Sequence, residues 1–178
     1  ALEMDHAGPV EIWCEGGRLE PVVYTQPEPL ARGDALMSRG HGVSMRYAHG
    51  VEVRLEENGP AAGGEFIGDR GKIRIGNNEV TSNPPELALT PPQDLPLRLP
   101  EVNDHMLDWF QATKNRSRPI ADVEVGHRSA TICHLGNIVR WAGRHLRWDP
   151  DAETFPGDEE ANQLLDRPRR AGYELPSV

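Results

Sequence analysis

The 178-residue chain has 37% hydrophobic content, enough for one sizeable core, and the size prior gives a single domain spanning 1–178. A formal net charge of -9 excludes nucleic-acid and anionic-membrane partners, which require a positive field. Cys14 and Cys133 are too few for a disulfide scaffold and wrongly spaced for a zinc ribbon. No apolar run approaches the roughly 20 residues that span a bilayer, and the first residues lack the pattern of a signal peptide, so a cytoplasmic protein is expected. The only lysines, Lys72 and Lys114, fall in an alternating strand and at a helix end, so neither is placed as an amine base.

The chain reads as strand-rich over 1–100 and helix-rich over 101–178. "PVEIWCE" predicts a first strand. Gly16 to Gly42 shows no sustained periodicity and reads as a long loop with at most one strand near "PVVY". Val43, Met45 and Tyr47, then Val51, Val53 and Leu55, alternate with polar residues on either side of His49-Gly50, which is a β-hairpin pattern. "GGEFIGDRGKIRIGNNEV" repeats it with Gly68 to Gly71 as the turn, and the first strand is expected to join the same sheet. Short turns between sequential strands imply antiparallel pairing. Arg46, Glu52, Arg54, Glu56, Lys72 and Arg74 would form a charged outer face, either solvated or pairing subunits. Six prolines between Asn83 and Pro100 predict an extended crossing.

Val102, Met106, Trp109 and Phe110 recur at helical spacing after Pro100 and predict one amphipathic helix. Asp122 is a suitable N-cap for a longer helix reaching about His145, with Glu124 in its first turn. Its apolar arc is Val125, Ile132, Leu135, Val139, Ala142 and Leu146, which should cover the sheet. Asp158 caps a last short helix over "EEANQLLD", ended by Pro168. The fold class is therefore α+β, an open antiparallel β-sheet with helices packed on one face.

"EVGHRSATICHLGNI" concentrates the chemistry-bearing residues. His127 and His134 share a helix side but stand about 10.5 Å apart along the axis, too far for one metal ion. Only Glu124 with His127 has ligand spacing, half a site without a second copy. Cys133 points about 100° from His134 and would need its own base and oxyanion donors to act as a nucleophile. His127, His134 and Trp141 form a stripe beside the apolar arc. It is either a polar seam satisfied within the chain or a surface for something the chain lacks. Neither G-x-G-x-x-G, G-x-x-x-x-G-K-[ST] nor G-x-S-x-G occurs. These residues alone describe a soluble α+β domain without a self-contained active site.

From "ALEMDHAGPVEIW" through "VEVRL", "GGEFIGDRGKIRIG" and "RPIADVEVGHRSATICHLGNIVRWAGRHLRWDP" to "ETFPGDEEANQLLDRPRRAGYEL", the chain resembles the C-terminal domain of the glucose-fructose oxidoreductase and inositol dehydrogenase family, Gfo/Idh/MocA. The resemblance points to a branch abundant in bacteria. It implies an open antiparallel sheet that commonly supports oligomerisation, next to a Rossmann domain for NAD(P) that this chain lacks. It also implies hydride transfer between NAD(P) and a sugar, cyclitol or related polyol. The family's catalytic lysine, in a Glu-Lys-Pro motif, and its aspartate and histidine one turn apart have no counterpart here. No catalytic, cofactor-binding or metal-binding residue is carried over, no cofactor is expected to bind this chain, and whether it is an enzyme in itself stays open. The expected function is the substrate-facing and oligomerisation domain of an NAD(P)-dependent sugar or polyol oxidoreductase, not competent alone, self-associating through the sheet. The alternative is a free-standing binding or scaffold module derived from that domain. Ala1 as first residue fits a fragment or a processed start. Candidates for the substrate-facing wall are Asn103 and His105 at the start of the first long helix and His127 and His134 on the second, polar groups in places where an apolar stripe would otherwise continue.

Overall fold

A computed structural model describes residues 7–16, 18, 42–56, 63–76, 79–89, 104–166 and 170–173. They fall into two compact units, one within 58–122 and the other made from 3–57 and 123–178.

The unit formed by the two chain ends contains a four-stranded antiparallel sheet. Its strands are β1 (Pro9–Cys14), β2 (Val43–Tyr47), β3 (Glu52–Leu55) and β7 (Leu146–Arg147), in the order β3-β2-β1-β7. Gly50, at φ 90, turns β2 toward β3, and its N–H reaches the Tyr47 carbonyl at 2.9 Å. The positive φ is the reason a glycine is needed there. Register places Ile12 opposite Met45 and Leu146, and Met45 opposite Val53. Ile12, Met45 and Leu146 are fully buried, so this row faces the core. Side chains one residue along point the other way. There Arg46 lies between Glu11 at 2.8 Å and Glu52 at 3.6 Å, its guanidinium 5.0 Å from the Trp13 ring centre.

Helix α3 (Val123–Ala142) covers the apolar face through Leu135, Ile138 and Val139. It ends three residues before the expected His145. Gly143 adopts φ 65 and donates to the Val139 carbonyl at 2.9 Å, a left-handed stop that residues with a Cβ disfavour. Leu146, expected on the helical arc, is therefore a strand residue opposite Ile12. Asp122 directly precedes the helix, where its carboxylate accepts from Arg118 Nε at 3.0 Å and Nη2 at 2.7 Å.

The segment after β7 folds back on the core. Trp148 packs against fully buried Phe155, ring centres 4.9 Å apart, and an isolated bridge pairs Asp149 with Thr154. The Asn162 side chain accepts the Phe155 N–H at 2.8 Å and donates to its carbonyl at 2.9 Å. Asp158 caps α4 (Glu159–Asn162) by accepting the Ala161 N–H at 3.1 Å. The helix is one turn long, shorter than "EEANQLLD"; Pro168, the expected stop, lies outside the described residues. Arg144 grips Asp158 with both terminal nitrogens and reaches Glu160 at 3.3 Å.

The second unit holds a three-stranded antiparallel sheet of β4 (Gly63–Gly68), β5 (Gly71–Gly76) and β6 (Glu79–Asn83), in that order. The second hairpin thus forms its own sheet with β6, where one shared sheet was expected, because its outer partner is the next segment of chain. Helix α1 (Glu86–Leu89) lies where an extended crossing was expected. Ser82 Oγ donates to the Pro84 and Pro85 carbonyls and accepts the Ala88 N–H at 2.9 Å, folding the chain into a turn that one helical turn completes. The rest of that stretch, 90–100, and the "PVVY" segment lie outside the described residues.

Helix α2 (His105–Asn115) starts after Asp104, whose Oδ1 accepts the Leu107 N–H at 2.9 Å. It ends at Arg116, in left-handed conformation at φ 55, with the Ser117 N–H on the Ala112 carbonyl. Asp108 Oδ2 then holds the Ile120 N–H at 2.9 Å and so fixes the exit of the chain. Met106, Trp109 and Phe110 of its apolar stripe are exposed in this chain, and Ala112 is buried.

Candidate functional site

In the unit built from the chain ends, α3 and the returning C-terminal segment leave a groove of about 810 Å³ between them. Thr131, His134, Leu135, Ile138 and Trp141 line one wall. Their spacing of three or four residues puts them on one side of the helix. The opposing wall is supplied by Trp148, Glu153 and the turn from Gln163 to Asp166. Apolar floor, two indoles and a few polar groups are the ordinary make-up of a small-molecule site.

Glu153 is held by several contacts. The Asp149 carboxylate accepts the N–H groups of Asp151 and Ala152 at 2.9 Å each, closing a tight loop that leaves Glu153 at φ 52. A non-glycine residue there carries strain of about 1 kcal/mol or more. Across the loop, His127 Nε2 meets Glu153 Oε1 at 2.5 Å, and Arg128 Nη1 lies 3.7 Å from the same oxygen. Arg128 also donates to Glu124 at 2.8 Å and to the Pro150 carbonyl at 2.7 Å. The first turns of α3 thus tether the loop that carries Glu153.

His134 lines the groove. His127 stands two turns earlier and touches a groove residue rather than the groove, so the two histidines are related through Glu153. His105, in the other unit, is the exposed first residue of α2. Asn103 lies outside the described residues. Glu153, Gln163 and Asp166 carry no periodic signal and are not marked out by the sequence; Trp141 is, at the end of the histidine stripe.

Cys133 is exposed. Cys14 is half-buried, and burial raises its thiol pKa, against a partial opposing pull from the Arg140 charge; its Sγ lies 3.5 Å from the Val139 carbonyl. Among the described residues no group of three or more His, Cys, Asp or Glu is arranged to hold a metal ion. Glu124, the one carboxylate at ligand spacing from His127, is taken up by Arg128.

A dinucleotide pyrophosphate is held at a helix N-terminus fed by a parallel strand. Every strand pair among the described residues is antiparallel, so none of them is a parallel strand feeding a helix N-terminus in that way. The described residues do not fit NAD(P). Among them, no helix is long and apolar enough to cross a membrane.

No curated protein and no solved structure matches the chain. Residues 8–175 match the family described as "Oxidoreductase family, C-terminal alpha/beta domain". With two open antiparallel sheets and four helices among the described residues, and that match over nearly its whole length, the chain belongs to the C-terminal domain family of the Gfo/Idh/MocA oxidoreductases.

Proposed function

We propose that this chain supplies the substrate-facing wall and the self-association surface of a cytoplasmic NAD(P)-dependent sugar or polyol oxidoreductase, with dinucleotide and catalytic groups provided by a Rossmann domain. The observation that carries this reading is the groove, where His134, Glu153, Gln163 and Asp166 offer hydrogen bonds beside two indoles. Sugars present both hydroxyls and a flat C–H face, and such walls bind both. Self-association is supported by the three-stranded sheet. Register puts Phe66, Ile75 and Val80 on one face, 48%, 45% and 58% exposed. Three apolar side chains clustered on a sheet face favour a partner surface, and a second copy is the partner at hand.

The test is titration of this chain with myo-inositol, glucose and NADH, followed by amide NMR shifts. Inositol or glucose is expected to shift α3 amides around Thr131 and the Trp141 indole, and His134→Ala to abolish the shifts while leaving the melting temperature nearly unchanged. NADH alone is expected to shift nothing. Tight NADH binding, or carbohydrate shifts that ignore His134→Ala, would overturn the proposal.

A further inference from the structure

Resting on the carbohydrate reading of the groove, we infer that Glu153 is its principal ligand-binding residue, accepting one ring hydroxyl through Oε2, and that His127 positions it. Of the residues that line the groove, only Glu153 has a left-handed backbone, at φ 52. A side chain with a Cβ takes that conformation at a cost, and glycine takes it freely. Strained backbone of this kind persists where its surroundings enforce it, and it clusters at ligand clamps. Here the enforcing contacts are the Asp149 carboxylate on the Asp151 and Ala152 N–H groups and the bridge from Asp149 to Thr154. The carboxylate itself is divided. His127 Nε2 at 2.5 Å and Arg128 Nη1 at 3.7 Å both address Oε1. Oε2 has no partner among the described residues, and with 41% of the side chain exposed a ligand can reach it.

Attaching the loop to α3 does not account for this arrangement. Arg128 already does so by donating to the Pro150 carbonyl at 2.7 Å, which needs neither a carboxylate nor a left-handed residue at 153. A carboxylate held by one oxygen presents the other as an acceptor whose side-chain freedom is already restricted, so less entropy is lost when a ligand binds. A sugar hydroxyl donating to an ionised acceptor makes a stronger bond than one donating to a neutral group. With that hydroxyl on Oε2 and the C–H face of the ring against Trp141, the ligand is fixed in both position and orientation.

The experiment titrates glucose and its monodeoxy derivatives into this chain and into Glu153→Gly and Glu153→Ala, read by the same α3 amide shifts. In the parent, removal of one particular hydroxyl is expected to weaken binding about tenfold or more, the loss of a hydrogen bond to a charged group, while the other positions matter less. In both variants that same deoxy sugar should bind about as well as glucose, which is the coupling expected of two groups in contact. Glu153→Gly should melt no lower than Glu153→Ala, because glycine is at ease at φ 52, so weakened binding is separated from unfolding. His127→Ala should weaken glucose severalfold without changing which hydroxyl matters, and His127→Gln, which keeps an N–H donor for Oε1, should restore it. If no single hydroxyl stands out in the parent, or if it stands out as strongly in Glu153→Gly, the inference is overturned and the carbohydrate reading stands. Absence of shifts with every sugar would overturn both.

Discussion

Replacing Gly136 by alanine is expected to stabilise the unit that carries the groove. Gly136 is buried in the middle of α3, against the sheet. A Cβ built there would lie 3.6 Å from Met45 Cε and 4.0 Å from Leu55 Cδ1, which is ordinary contact without overlap. In a helix interior, glycine is about 1 kcal/mol worse than alanine because its backbone loses more freedom. Burying the added methyl contributes at most about 0.8 kcal/mol more. Gly126 is exposed in the same helix, and a methyl added there would meet nothing within 4 Å, so it isolates the backbone part. Urea unfolding followed by far-UV circular dichroism should then show Gly126→Ala gaining about 1 kcal/mol and Gly136→Ala between about 1 and 2 kcal/mol, with unchanged m. Gly136→Leu should reverse the sign by about 1–3 kcal/mol, because its outer carbons must displace Met45 or Leu55. If Gly136→Ala is less stable than the parent while Gly126→Ala is more stable, the helix–sheet spacing cannot give at all and the packing argument fails.

Arg128 and His127 should separate in the same assay. Arg128→Ala removes two charge-assisted bonds from a partly buried side chain and is expected to cost about 2 kcal/mol, while His127→Ala, in an exposed pair, should cost under about 1 kcal/mol; equal losses would refute the distinction. Bonding to Arg144 holds the Asp158 carboxyl below its ordinary value of 3.8, so its contribution to stability is complete above that pH and is lost as pH falls through the lower folded value. The stability advantage of the parent over Asp158→Asn, which keeps a capping oxygen, should therefore shrink in acid, and a gap unchanged between neutral pH and the acid limit would contradict this. A disulfide reagent should titrate Cys133 rapidly in the native chain and Cys14 only slowly or on unfolding; two fast thiols would show that Cys14 is not shielded.

What can be read from the sequence depends on how local the determining interaction is. The β2–β3 hairpin is legible because alternation and Gly50 both act within a dozen residues. The division into two sheets is not, since strand partners are chosen by pairing across the chain, and β4–β5 reads the same whichever sheet it joins. The end of α3 shows a different limit. Helical arithmetic carries the apolar arc from Val139 and Ala142 smoothly on to Leu146, and the only contrary signal is Gly143, which takes the left-handed conformation. α1 is too short to show any period, and Pro84 and Pro85 read equally well as extended chain or as a turn.

The groove divides along the same line. Its α3 wall follows from spacing, so His134 and Trp141 can be placed on one side of a helix from the sequence. Its acidic wall cannot, because Glu153 and Asp166 come from irregular chain whose path is set by contacts far from them. Glu153 reaches the groove through the Asp149 turn and the tether to His127 and Arg128. Gln163 and Asp166 follow α4, and α4 is positioned by Asp158 under Arg144 and by Asn162 on the Phe155 backbone. Phe155 is itself buried against Trp148, which both anchors the segment and lines the groove. His134 and Trp141 are thus fixed by one helix, whereas Trp148 and the polar groups opposite depend on a pinned return segment.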